Sequence, residues 1–532
     1  MDKTKIKYPL IIIILTLGIL LGTQIQKVFS TDGLFENLKK FNDVISLTQK
    51  YYLEEVEVDK MVENAINGML AKLDPHSVYI PVKQMQTVEE EFRGDFEGIG
   101  VEFQIVNDTL TVVSPITGGP SEALGILAGD RIIKIDGKDA IGITNDDVRK
   151  QLRGPKGTKV KVIIVRPGLK ETLEYEITRD KIPLYSVDTH IMLDKETGYI
   201  SVTRFGEKTT DELKTALYDL QEQGMKQLIL DLRNNPGGYL NQAVQIADLF
   251  IAGDKKIVYT RGRKKDFNED FYAGKTFPFE KTPVIVLINR GSASASEIVS
   301  GAIQDWDRGL IVGETSFGKG LVQRQYPLQD GSALRLTISE YYTPMGRFIQ
   351  RKYDNKKEYY EDLAEREEEE GENLTHVAES DSGRPVFKTN KGRNVYGGGG
   401  ITPDYISKSD KLTEYSTSLL RKNVFYLYTL KYLDSKGESI KNKYNDLSEF
   451  AEKFKISDKE LKEFTEFAKE KGVEMKEEDF KKDKDYILAR IKAQIARNYW
   501  KNEGWYLVLL GFDKQIEKSL GLFSKAKQMV NN

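Results

Sequence analysis

Between residues 182 and 345, short apolar runs alternate with amphipathic segments, and this alternation restricts the fold more than any other feature of the sequence. The run KQLILDL is apolar on both faces of an extended chain, as expected of a buried strand, and TPVIVLIN is a second strand. The segment TTDELKTALYDLQEQG predicts a helix, with Thr210 as its N-cap. The pattern predicts a layered α/β domain with its functional site at the carboxyl ends of the strands.

The regions that flank this stretch differ from it in composition. Residues 31–92 place apolar side chains at helical spacing and are predicted to be helical, up to the loop LDPHSVYIP. Residues 346–394 form a polar insert with a dense acidic run, and GGGGITPDY returns the chain to the α/β domain over residues 395–410. Residues 411–532 are rich in Lys and Glu, show helical periodicity and predict a helical C-terminal domain.

The first 30 residues are predicted to direct export. Lys3, Lys5 and Lys7 precede an apolar run, and this order is typical of an export signal. Two interpretations remain open, a cleaved signal peptide and an uncleaved membrane anchor formed by residues 8–25. Either one places the rest of the chain outside the cytoplasm, in the periplasm or at the cell envelope.

Composition excludes several kinds of chemistry. The 532-residue chain has no cysteine, which excludes disulfides, cysteine nucleophiles and thiolate metal sites. Its 79 basic and 82 acidic residues give a formal net charge of −3, so the charge shows no bias toward nucleic acid. Only His76, His190 and His376 are available for histidine-based catalysis.

Residues 93–181 contain short β-type runs and one helical stretch, and they predict a small barrel-like domain. The stretches GIGVEF, SPITGGPSEALGILAGDRIIKIDGKDA and DDVRKQLRGPKGTKVKV make this segment resemble a PDZ domain. The resemblance implies a loop whose backbone N–H groups bind the C-terminal carboxylate of a peptide, while the peptide adds a strand to the sheet edge. It assigns this loop to Gly98, Ile99, Gly100 and Val101.

The stretch RGSASASE contains the candidate nucleophile. Ser292, Ser294 and Ser296 follow the strand TPVIVLIN and open the helix EIVSGAIQDW, so a hydroxyl can be exposed at a strand-to-helix turn. Amides at the start of a helix also favour nearby negative charge. The alternative is that the serines only cap the helix.

Lys319, between Gly318 and Gly320, is the candidate base. Burial disfavours an ammonium group and lowers its pKa, and a serine with a lysine base is an established catalytic arrangement. A solvated lysine is one alternative, and a phosphate-binding loop is another, because Gly313, Gly318 and Lys319 have the spacing of that motif. Against the phosphate loop, Gly320 stands where Ser or Thr is required, and no helix signal follows.

The stretch RGSASASEIVSGAIQDWDRGLIVGETSFGKGLVQ resembles the active-site region of the carboxyl-terminal processing proteases, also called tail-specific proteases. LDPHSVYI, DLRNNPGG, the PDZ segment and GGGGITPD match other stretches of that family, from about residue 35 to 410. The resemblance implies a layered α/β serine protease core of the ClpP/crotonase type with an inserted PDZ domain and helical N- and C-terminal regions. It also implies that no metal or cofactor is needed.

The resemblance assigns roles to individual residues. The family pairs its serine and lysine 25 positions apart, which selects Ser294 as nucleophile and Lys319 as base. Gln323 would orient the lysine, since on a helix or tight turn a spacing of four puts both side chains on one side. The backbone N–H groups of Ala295 and Gly238 would form the oxyanion hole.

Two further residues match family positions. Asp305 matches an aspartate of the motif and is expected to support the structure rather than catalysis. Arg153 matches a position where the PDZ domain is thought to contact the protease core, so it is a candidate substrate sensor, with an exposed basic turn as the alternative.

Three functions are compared. The first is an exported serine endopeptidase with a Ser-Lys pair that acts on unfolded or C-terminally exposed protein substrates. The second is a Ser-His-Asp hydrolase that uses one of the three histidines. The third is a PDZ-bearing scaffold or chaperone built on an inactive protease core. The terminal helical regions suit a homodimer, although their periodicity fits a monomer equally well.

Overall fold

The computed structural model describes residues 33–353, 383–409, 411–444 and 446–531, together with Thr16 and Tyr359. The predicted signal or anchor at residues 8–25 therefore lies outside the described residues, apart from Thr16. No helix in the described part of the chain is both long enough and apolar enough to cross a bilayer.

The described strands lie between residues 78 and 406. The strands are β1 (Val78–Ile80), β2 (Asp95–Gly98), β3 (Val101–Val106), β4 (Thr109–Pro115), β5 (Arg131–Ile135), β6 (Lys138–Asp139), β7 (Lys159–Val165), β8 (Leu173–Thr178), β9 (Asp180–Pro183), β10 (Val187–Met192), β11 (Thr197–Val202), β12 (Gln227–Asp231), β13 (Lys256–Gly262), β14 (Glu269–Tyr272), β15 (Val284–Ile288), β16 (Leu310–Gly313), β17 (Leu321–Pro327), β18 (Ala333–Tyr342), β19 (Val386–Lys388), β20 (Asn394–Tyr396) and β21 (Tyr405–Ile406).

The helices cluster at the two ends of the chain and between the core strands. The α-helices are α1 (Leu34–Tyr51), α2 (Val58–Leu70), α3 (Val82–Arg93), α4 (Pro120–Ala123), α5 (Asn145–Leu152), α6 (Thr209–Glu222), α7 (Leu240–Asp248), α8 (Ala295–Asp305), α9 (Glu414–Arg421), α10 (Val424–Lys443), α11 (Leu447–Lys453), α12 (Asp458–Glu470), α13 (Glu477–Leu510) and α14 (Lys514–Asn531). Helix α13 is kinked at Trp500 and Lys501, where the backbone leaves the helical conformation.

The centre of the molecule is a six-stranded sheet in the order β10-β11-β12-β15-β16-β21. All neighbouring pairs are parallel except β10 and β11. The two apolar runs of the sequence form β12 and β15, and every residue of both strands is buried. The predicted layered α/β class is therefore confirmed.

Both faces of this sheet are covered, because successive side chains of a strand point to opposite sides. Leu228 and Val286 belong to the apolar cluster beneath α6, α7 and α8. Ile229 and Ile285 belong to a second cluster, which includes Phe523 of α14. The C-terminal helix thus forms a layer of the α/β domain, a position that its Lys-rich sequence does not indicate.

Helix α6 begins at Thr209, and the prediction that Thr210 is its N-cap is wrong. The Thr210 hydroxyl instead donates to Gln242 Oε1 of α7 at 2.5 Å, and the Thr210 N–H donates to the same oxygen at 2.8 Å. A contact with another helix has replaced the local cap, which a sequence pattern alone does not reveal.

A smaller antiparallel sheet in the order β1-β18-β13-β14, with β17 also paired to β18, adjoins the core. Strand β1 lies within LDPHSVYIP, which the sequence predicts to be a loop. It becomes a strand because Val78 lies opposite Arg335 in an antiparallel pairing with β18, far along the chain.

The PDZ segment forms a sheet in the order β3-β4-β5-β7-β8, with β6 paired to β5. Helix α5 packs on this sheet through Val148 and Leu152. Strands β2 and β9 pair with each other where the chain enters and leaves the domain. Within the described sheets β3 pairs only with β4, so its other edge is open.

Helices α9 to α13 form a separate apolar cluster that is rich in aromatic rings. Phe425 stacks on Phe464 with ring centroids 5.3 Å apart, and Phe450 stacks on Phe454 at 4.6 Å. The C-terminal region therefore has a hydrophobic core of its own before α14 returns to the central sheet.

The start of the polar insert packs against the core through one buried ion pair. Arg347 Nη2 lies 2.6 Å from Asp305 Oδ1, and neither side chain is exposed to solvent. The other oxygen of Asp305 accepts from the Met345 N–H at 2.9 Å. Asp305 therefore holds residues 345–347 against helix α8.

We expect Arg347→Met to lower the free energy of unfolding by about 3–5 kcal/mol, because it leaves the Asp305 carboxylate buried without its cation. Urea denaturation followed by circular dichroism measures this. The control is Arg421→Met, which breaks an exposed pair with Glu414 and should cost about 0–1 kcal/mol. Equal losses in the two variants would contradict the structural role of the buried pair.

Candidate active site

One cavity collects residues from distant parts of the chain at the carboxyl ends of the core strands. Its volume is about 660 Å³, and Ser294, Lys319, Gln323 and Gly238 all line it. Helix α3 and strands β17 and β18 supply most of the opposite wall. Four residues that the sequence singled out are thus brought together, and Ala295 directly follows Ser294.

Ser294 occupies the turn between β15 and α8 in a strained conformation. Its φ of 55° and ψ of −111° lie in a region that non-glycine residues rarely adopt, and such conformations cost on the order of 1–3 kcal/mol. Its side chain makes no capping hydrogen bond with the helix. The hydroxyl is therefore left to the cavity.

The neighbouring serines are used differently. Ser292 Oγ donates to the Leu232 carbonyl at 2.7 Å, and Ser296 Oγ donates to the Asn235 carbonyl at 2.9 Å. Both serines are buried, and neither lines the cavity. They join the serine turn to the NNPGG loop, so only Ser294 has a hydroxyl directed to the cavity.

Lys319 lies in the loop between β16 and β17, inside the protein. Burial, together with the nearby Arg335, lowers the pKa of its ammonium group to about 8, although Glu297 and Asp74 act in the opposite direction. No hydrogen bond joins Ser294 Oγ to Lys319 Nζ among the described residues. The two side chains share the cavity without a direct hydrogen bond between them.

Glu297 connects the serine turn to the lysine loop. Its carboxylate is fully buried and accepts from the backbone N–H of Ser294 at 2.8 Å and from that of Lys319 at 2.9 Å. The other oxygen accepts from Ser316 Oγ at 2.5 Å and from the Gly318 N–H at 2.7 Å. One carboxylate therefore fixes the backbones of both candidate catalytic residues.

Burial raises the pKa of Glu297 to about 7, although the four hydrogen bonds oppose this shift. Three of the four donors are backbone N–H groups, which cannot accept, so only the Ser316 hydroxyl could take a hydrogen from a protonated Glu297. The arrangement suits the ionised form, which dominates above about pH 7.

Tyr341 provides a second connection between the same two segments. Its hydroxyl lies 2.6 Å from the Lys319 carbonyl oxygen and 3.1 Å from the Ser294 carbonyl oxygen. The side chain is buried and lines the cavity. Glu297 thus accepts from the N–H groups of Ser294 and Lys319, and the Tyr341 hydroxyl lies beside the carbonyl groups of the same two residues.

Gln323 lies on strand β17, not on the helix or tight turn that the spacing argument assumed. Its Nε2 donates to Thr337 Oγ1 at 3.2 Å, and Thr337 Oγ1 donates to Asp74 Oδ1 at 2.9 Å. Because Nε2 is engaged there, the amide oxygen of Gln323 is left for the cavity that Lys319 also lines.

Asp74 is the fixed end of this hydrogen-bond chain. Burial raises the pKa of its carboxyl, but hydrogen bonds from Ser77, the His76 N–H and Thr337 outweigh burial and hold the pKa below its usual value. An ionised Asp74 can only accept, so it determines the direction of the Thr337 hydroxyl and, through it, that of the Gln323 amide.

The NNPGG loop lies against the serine turn. A Cβ atom on Gly237 would lie 2.7 Å from the Ala293 carbonyl oxygen, and one on Gly238 would lie 2.2 Å from that of Phe205. No acceptor among the described residues is bound to the N–H of Gly238 or to that of Ala295. These two donors, predicted for the oxyanion hole, are available to a ligand.

The PDZ loop shows a similar set of available donors. The carbonyl of Ile99 accepts from Ser121, and that of Gly100 accepts from the Ile116 N–H. The N–H groups of Ile99 and Gly100 have no acceptor in the described part of the chain. The loop therefore presents donors at the start of the open edge of β3.

Arg153 joins the PDZ domain to a wall of the cavity. Its Nη1 donates to Glu90 Oε2 at 2.6 Å, and its guanidinium lies 4.5 Å from the centre of the Phe96 ring. Glu90 belongs to α3, whose residues Val88 and Phe92 line the cavity. Arg153 thus contacts α3, a wall of the cavity, and is not a free basic turn.

Neither His76 nor His190 lies in the cavity that Ser294 lines. His76 contacts Tyr359, and His190 Nε2 lies 3.3 Å from Asp219; neither lines the cavity of Ser294. His376 lies outside the described residues.

The phosphate-loop alternative is also wrong, since strand β17 follows Lys319 where that motif requires a helix. In the described residues no cluster of His, Asp and Glu is arranged to bind a metal ion.

Family profiles match several parts of the chain. Peptidase family S41 matches residues 196–356, and the PDZ domain matches residues 111–166. The N-terminal domain of the activating protease CtpB matches residues 22–84, and a family of unknown function matches residues 415–501. The family of unknown function coincides with the separate C-terminal helical cluster.

Known proteins match the chain over more than half of its length. A carboxy-terminal-processing protease of Bartonella bacilliformis is 42% identical over 320 residues, which cover 59% of this chain and 73% of the relative. The carboxy-terminal processing protease CtpA of Bacillus subtilis is 38% identical over 332 residues, 62% of this chain and 69% of the relative. The chain belongs to the carboxy-terminal processing proteases.

The chain is a serine-type peptidase of family S41 with a PDZ domain. The solved structure of a photosystem II D1 C-terminal processing protease aligns with 57% of this chain and 88% of its own, at 29% identity and a TM-score of 0.32. Because that TM-score is low, the family assignment rests on the sequence relatives.

Sequence reasoning missed several residues of this carboxy-terminal processing protease. The pattern Ser294-x-x-Glu297 has the spacing of a capping box, so it could have indicated Glu297 at the start of α8. Tyr341, Thr337 and Asp74 gave no comparable signal, because strand pairing and loop packing bring them to the site from distant segments.

We expect Glu297→Gln in this carboxy-terminal processing protease to lower kcat by about 10²-fold, as small displacements of reacting groups can do. The amide nitrogen would face N–H donors in place of an acceptor oxygen, so the serine turn and the lysine loop would separate. Steady-state kinetics on a peptide substrate measures the loss. The control is Glu314→Gln, a buried carboxylate paired with Arg290 outside the cavity, for which we expect near-normal kcat.

Proposed function

We propose that this chain is an exported endopeptidase that binds the C-terminal region of protein substrates through its PDZ domain and cleaves peptide bonds with Ser294 and Lys319. One observation carries the proposal: a serine in a strained turn and a buried lysine of lowered pKa line one cavity, and the Glu297 carboxylate binds both backbones.

In the proposed reaction, neutral Lys319 takes the proton of Ser294 Oγ, and the oxygen attacks the carbonyl carbon of the scissile peptide bond. The negative charge that develops on the carbonyl oxygen is stabilised by the N–H groups of Ala295 and Gly238, which have no acceptor among the residues that the structure describes. Lys319 then gives its proton to the leaving amine.

Water resolves the acyl-enzyme in the second half of the reaction. Lys319, neutral again, takes a proton from the attacking water, and the Ser294 oxygen leaves and is reprotonated. Gln323 supports both halves: its amide oxygen accepts from Lys319 Nζ and directs the lysine toward the serine. The chain through Thr337 to Asp74 keeps that oxygen on the cavity side.

The PDZ domain would capture the substrate. The unused N–H groups of Ile99 and Gly100 suit a C-terminal carboxylate, and the open edge of β3 suits an added strand. The ion pair of Arg153 with Glu90 connects this domain to α3 and hence to the catalytic cavity, which supports a substrate-sensing role for Arg153. Unfolded or C-terminally exposed proteins are the substrates that such a groove can reach.

The N-terminal region supports two further parts of the proposal, an extracytoplasmic location and a homodimer. The basic and apolar start of the sequence supports an extracytoplasmic location, with residues 1–30 as a signal or a membrane anchor. Helix α1 exposes Leu34, Leu38, Val44 and Leu47 along its length, each by more than half. An apolar face of this kind supports a homodimer.

We expect kcat/KM to rise with pH and to level off above about pH 8, because the proposed base must be neutral and its pKa is lowered to about 8. Below about pH 7 the slope should steepen, since protonated Glu297 no longer accepts all four hydrogen bonds. Initial rates on a peptide with an apolar C-terminus, measured from pH 5.5 to 9.5, test this.

Lys319→Ala should lower kcat by at least about 10⁴-fold and remove the inflection near pH 8, as expected when the general base of such a site is lost. Lys226→Ala is the control, since this exposed lysine pairs with Glu196 and precedes β12, at the opposite ends of the core strands. Near-normal turnover by Lys319→Ala would overturn the Ser-Lys mechanism.

Thr337→Val should lower kcat by roughly fivefold and leave KM unchanged, because one orienting hydrogen bond contributes about 1 kcal/mol and Thr337 does not line the cavity. Thr337→Ser keeps the hydroxyl and should restore the rate. If valine and serine have the same effect, the hydroxyl does not orient Gln323 and the change acts only through packing.

A further inference from the structure

A second cavity lies along the open edge of PDZ strand β3, and a residue from outside the PDZ domain lines it. Its volume is about 530 Å³. Residues Val101–Ile105 of β3 form one side, and Asn145 and Arg149 of α5 form another. The remaining lining residue is Asn423, from the C-terminal helical region.

Asn423 reaches the cavity from the tight connection between α9 and α10. Its φ of 53° is left-handed, a conformation that asparagine tolerates better than most residues. Its Nδ2 donates to Gln104 Oε1 of β3. Asn423 Oδ1 and Gln104 Nε2 have no partner among the described residues. The two amides thus leave one acceptor and one donor side by side.

Other contacts hold the helical region in this place. Arg497 pairs with Glu102 of β3 at 2.8 Å, and Arg131 of β5 pairs with Asp434 at 3.4 Å. Lys501 pairs with Glu122 and donates to Thr117 Oγ1 at 3.1 Å. Each exposed pair is weak by itself, but three pairs at separate points fix the register of one surface on the other.

We propose that the C-terminal helical region completes the peptide groove of the PDZ domain, where Asn423 and Gln104 together bind a polar, uncharged side chain of the substrate near its C-terminus. This inference rests on the proposed function, in which the groove binds C-terminal peptides. It adds a recognition site that lies outside the PDZ domain itself.

The position of the recognised side chain follows from strand geometry. With its carboxylate at the N–H groups of Ile99 and Gly100, the peptide must run along β3 toward Val106, antiparallel to it. Gln104 lies four residues beyond Gly100, so at about 3.3 Å per residue it lies beside roughly the fourth peptide residue from the C-terminus.

The side of the peptide that meets Asn423 follows from the alternation of β3. Val101 and Phe103 pack against the PDZ core, so Glu102 and Gln104 point to the other side, where they contact Arg497 and Asn423. A peptide side chain that lies beside Gln104 and points away from the PDZ core therefore faces the side-chain amides of Gln104 and Asn423.

The chemistry of the pair favours an amide or a hydroxyl group. A glutamine or asparagine side chain can accept from Gln104 Nε2 and donate to Asn423 Oδ1 at the same time. Glu102 is already paired with Arg497, and Arg149, on the α5 side of the cavity, lies 3.8 Å from Asp146. A charged peptide side chain beside Gln104 would therefore lose water without gaining an unpaired opposite charge.

Peptide binding to the full chain carrying Ser294→Ala tests the proposal. Two fluorescent peptides with the same apolar C-terminus differ only at the fourth residue from the end, which is Gln or Ala. Fluorescence anisotropy should show roughly 5- to 10-fold tighter binding of the Gln peptide, the effect of about one hydrogen bond beyond the shared contacts.

Asn423→Gly removes the amide while the left-handed backbone is kept without strain. It should abolish the difference between the two peptides and leave the affinity of the Ala peptide unchanged. Asn442→Ala, at an exposed position near the other end of α10, is the matched control and should change neither affinity. Circular dichroism of both variants confirms that they fold.

Three results would overturn the inference. If the protein that retains Asn423 bound the two peptides with equal affinity, Asn423 and Gln104 would not recognise the peptide side chain. Tighter binding of both peptides to Asn423→Gly would mean that the helical region obstructs the groove. Failure of both peptides to bind at all would overturn the proposed role of the PDZ domain itself, and that result is distinct from the first two.

Discussion

The buried carboxylate of Glu297 is the interaction on which the site depends. Among the described residues it forms no ion pair, and four hydrogen-bond donors compensate it, two of them the N–H groups of Ser294 and Lys319. A buried charge that is satisfied in this way resists any movement that removes a donor. The serine turn and the lysine loop come from different strands, and this carboxylate gives them a fixed separation. The same burial that makes Glu297 costly to ionise also lowers the pKa of Lys319.

The order of the core strands brings together the serine turn and the lysine loop that Glu297 connects. Strands β15 and β16 are parallel neighbours, so the loops that follow them emerge at one edge of the sheet and bring Ser294 and Lys319 together. Strand β18 then passes over this edge and adds Thr337 and Tyr341. The PDZ domain is inserted before this core, and α3, which carries Glu90, lies between the two.

The sequence predicts those features of the structure that depend on residues close together in the chain. It does not predict those that depend on contacts between distant segments. The buried strands β12 and β15 are visible as apolar runs, and the spacing within a family motif selects Ser294 among three serines. Strand β1 and the Thr337–Asp74 hydrogen bond depend on pairing across the chain and have no local pattern. Gln323 was expected on a helix or turn and lies on a strand, whereas Lys319 lies in the loop before it, so the spacing of four does not explain why both side chains line one cavity. The pKa of Lys319 follows from burial by distant segments, which only the three-dimensional structure provides.

The position of α14 has a consequence for the order in which the protein is made. Ile516, Phe523 and Ala526 cover one face of the central sheet, which is otherwise built from residues 187–406. During synthesis or passage through a membrane, that apolar face stays uncovered until residues 514–531 have emerged. The catalytic domain therefore cannot finish folding while the chain is still being delivered. A protease of this design completes its core only after its helical C-terminal region has been made and has packed on the sheet.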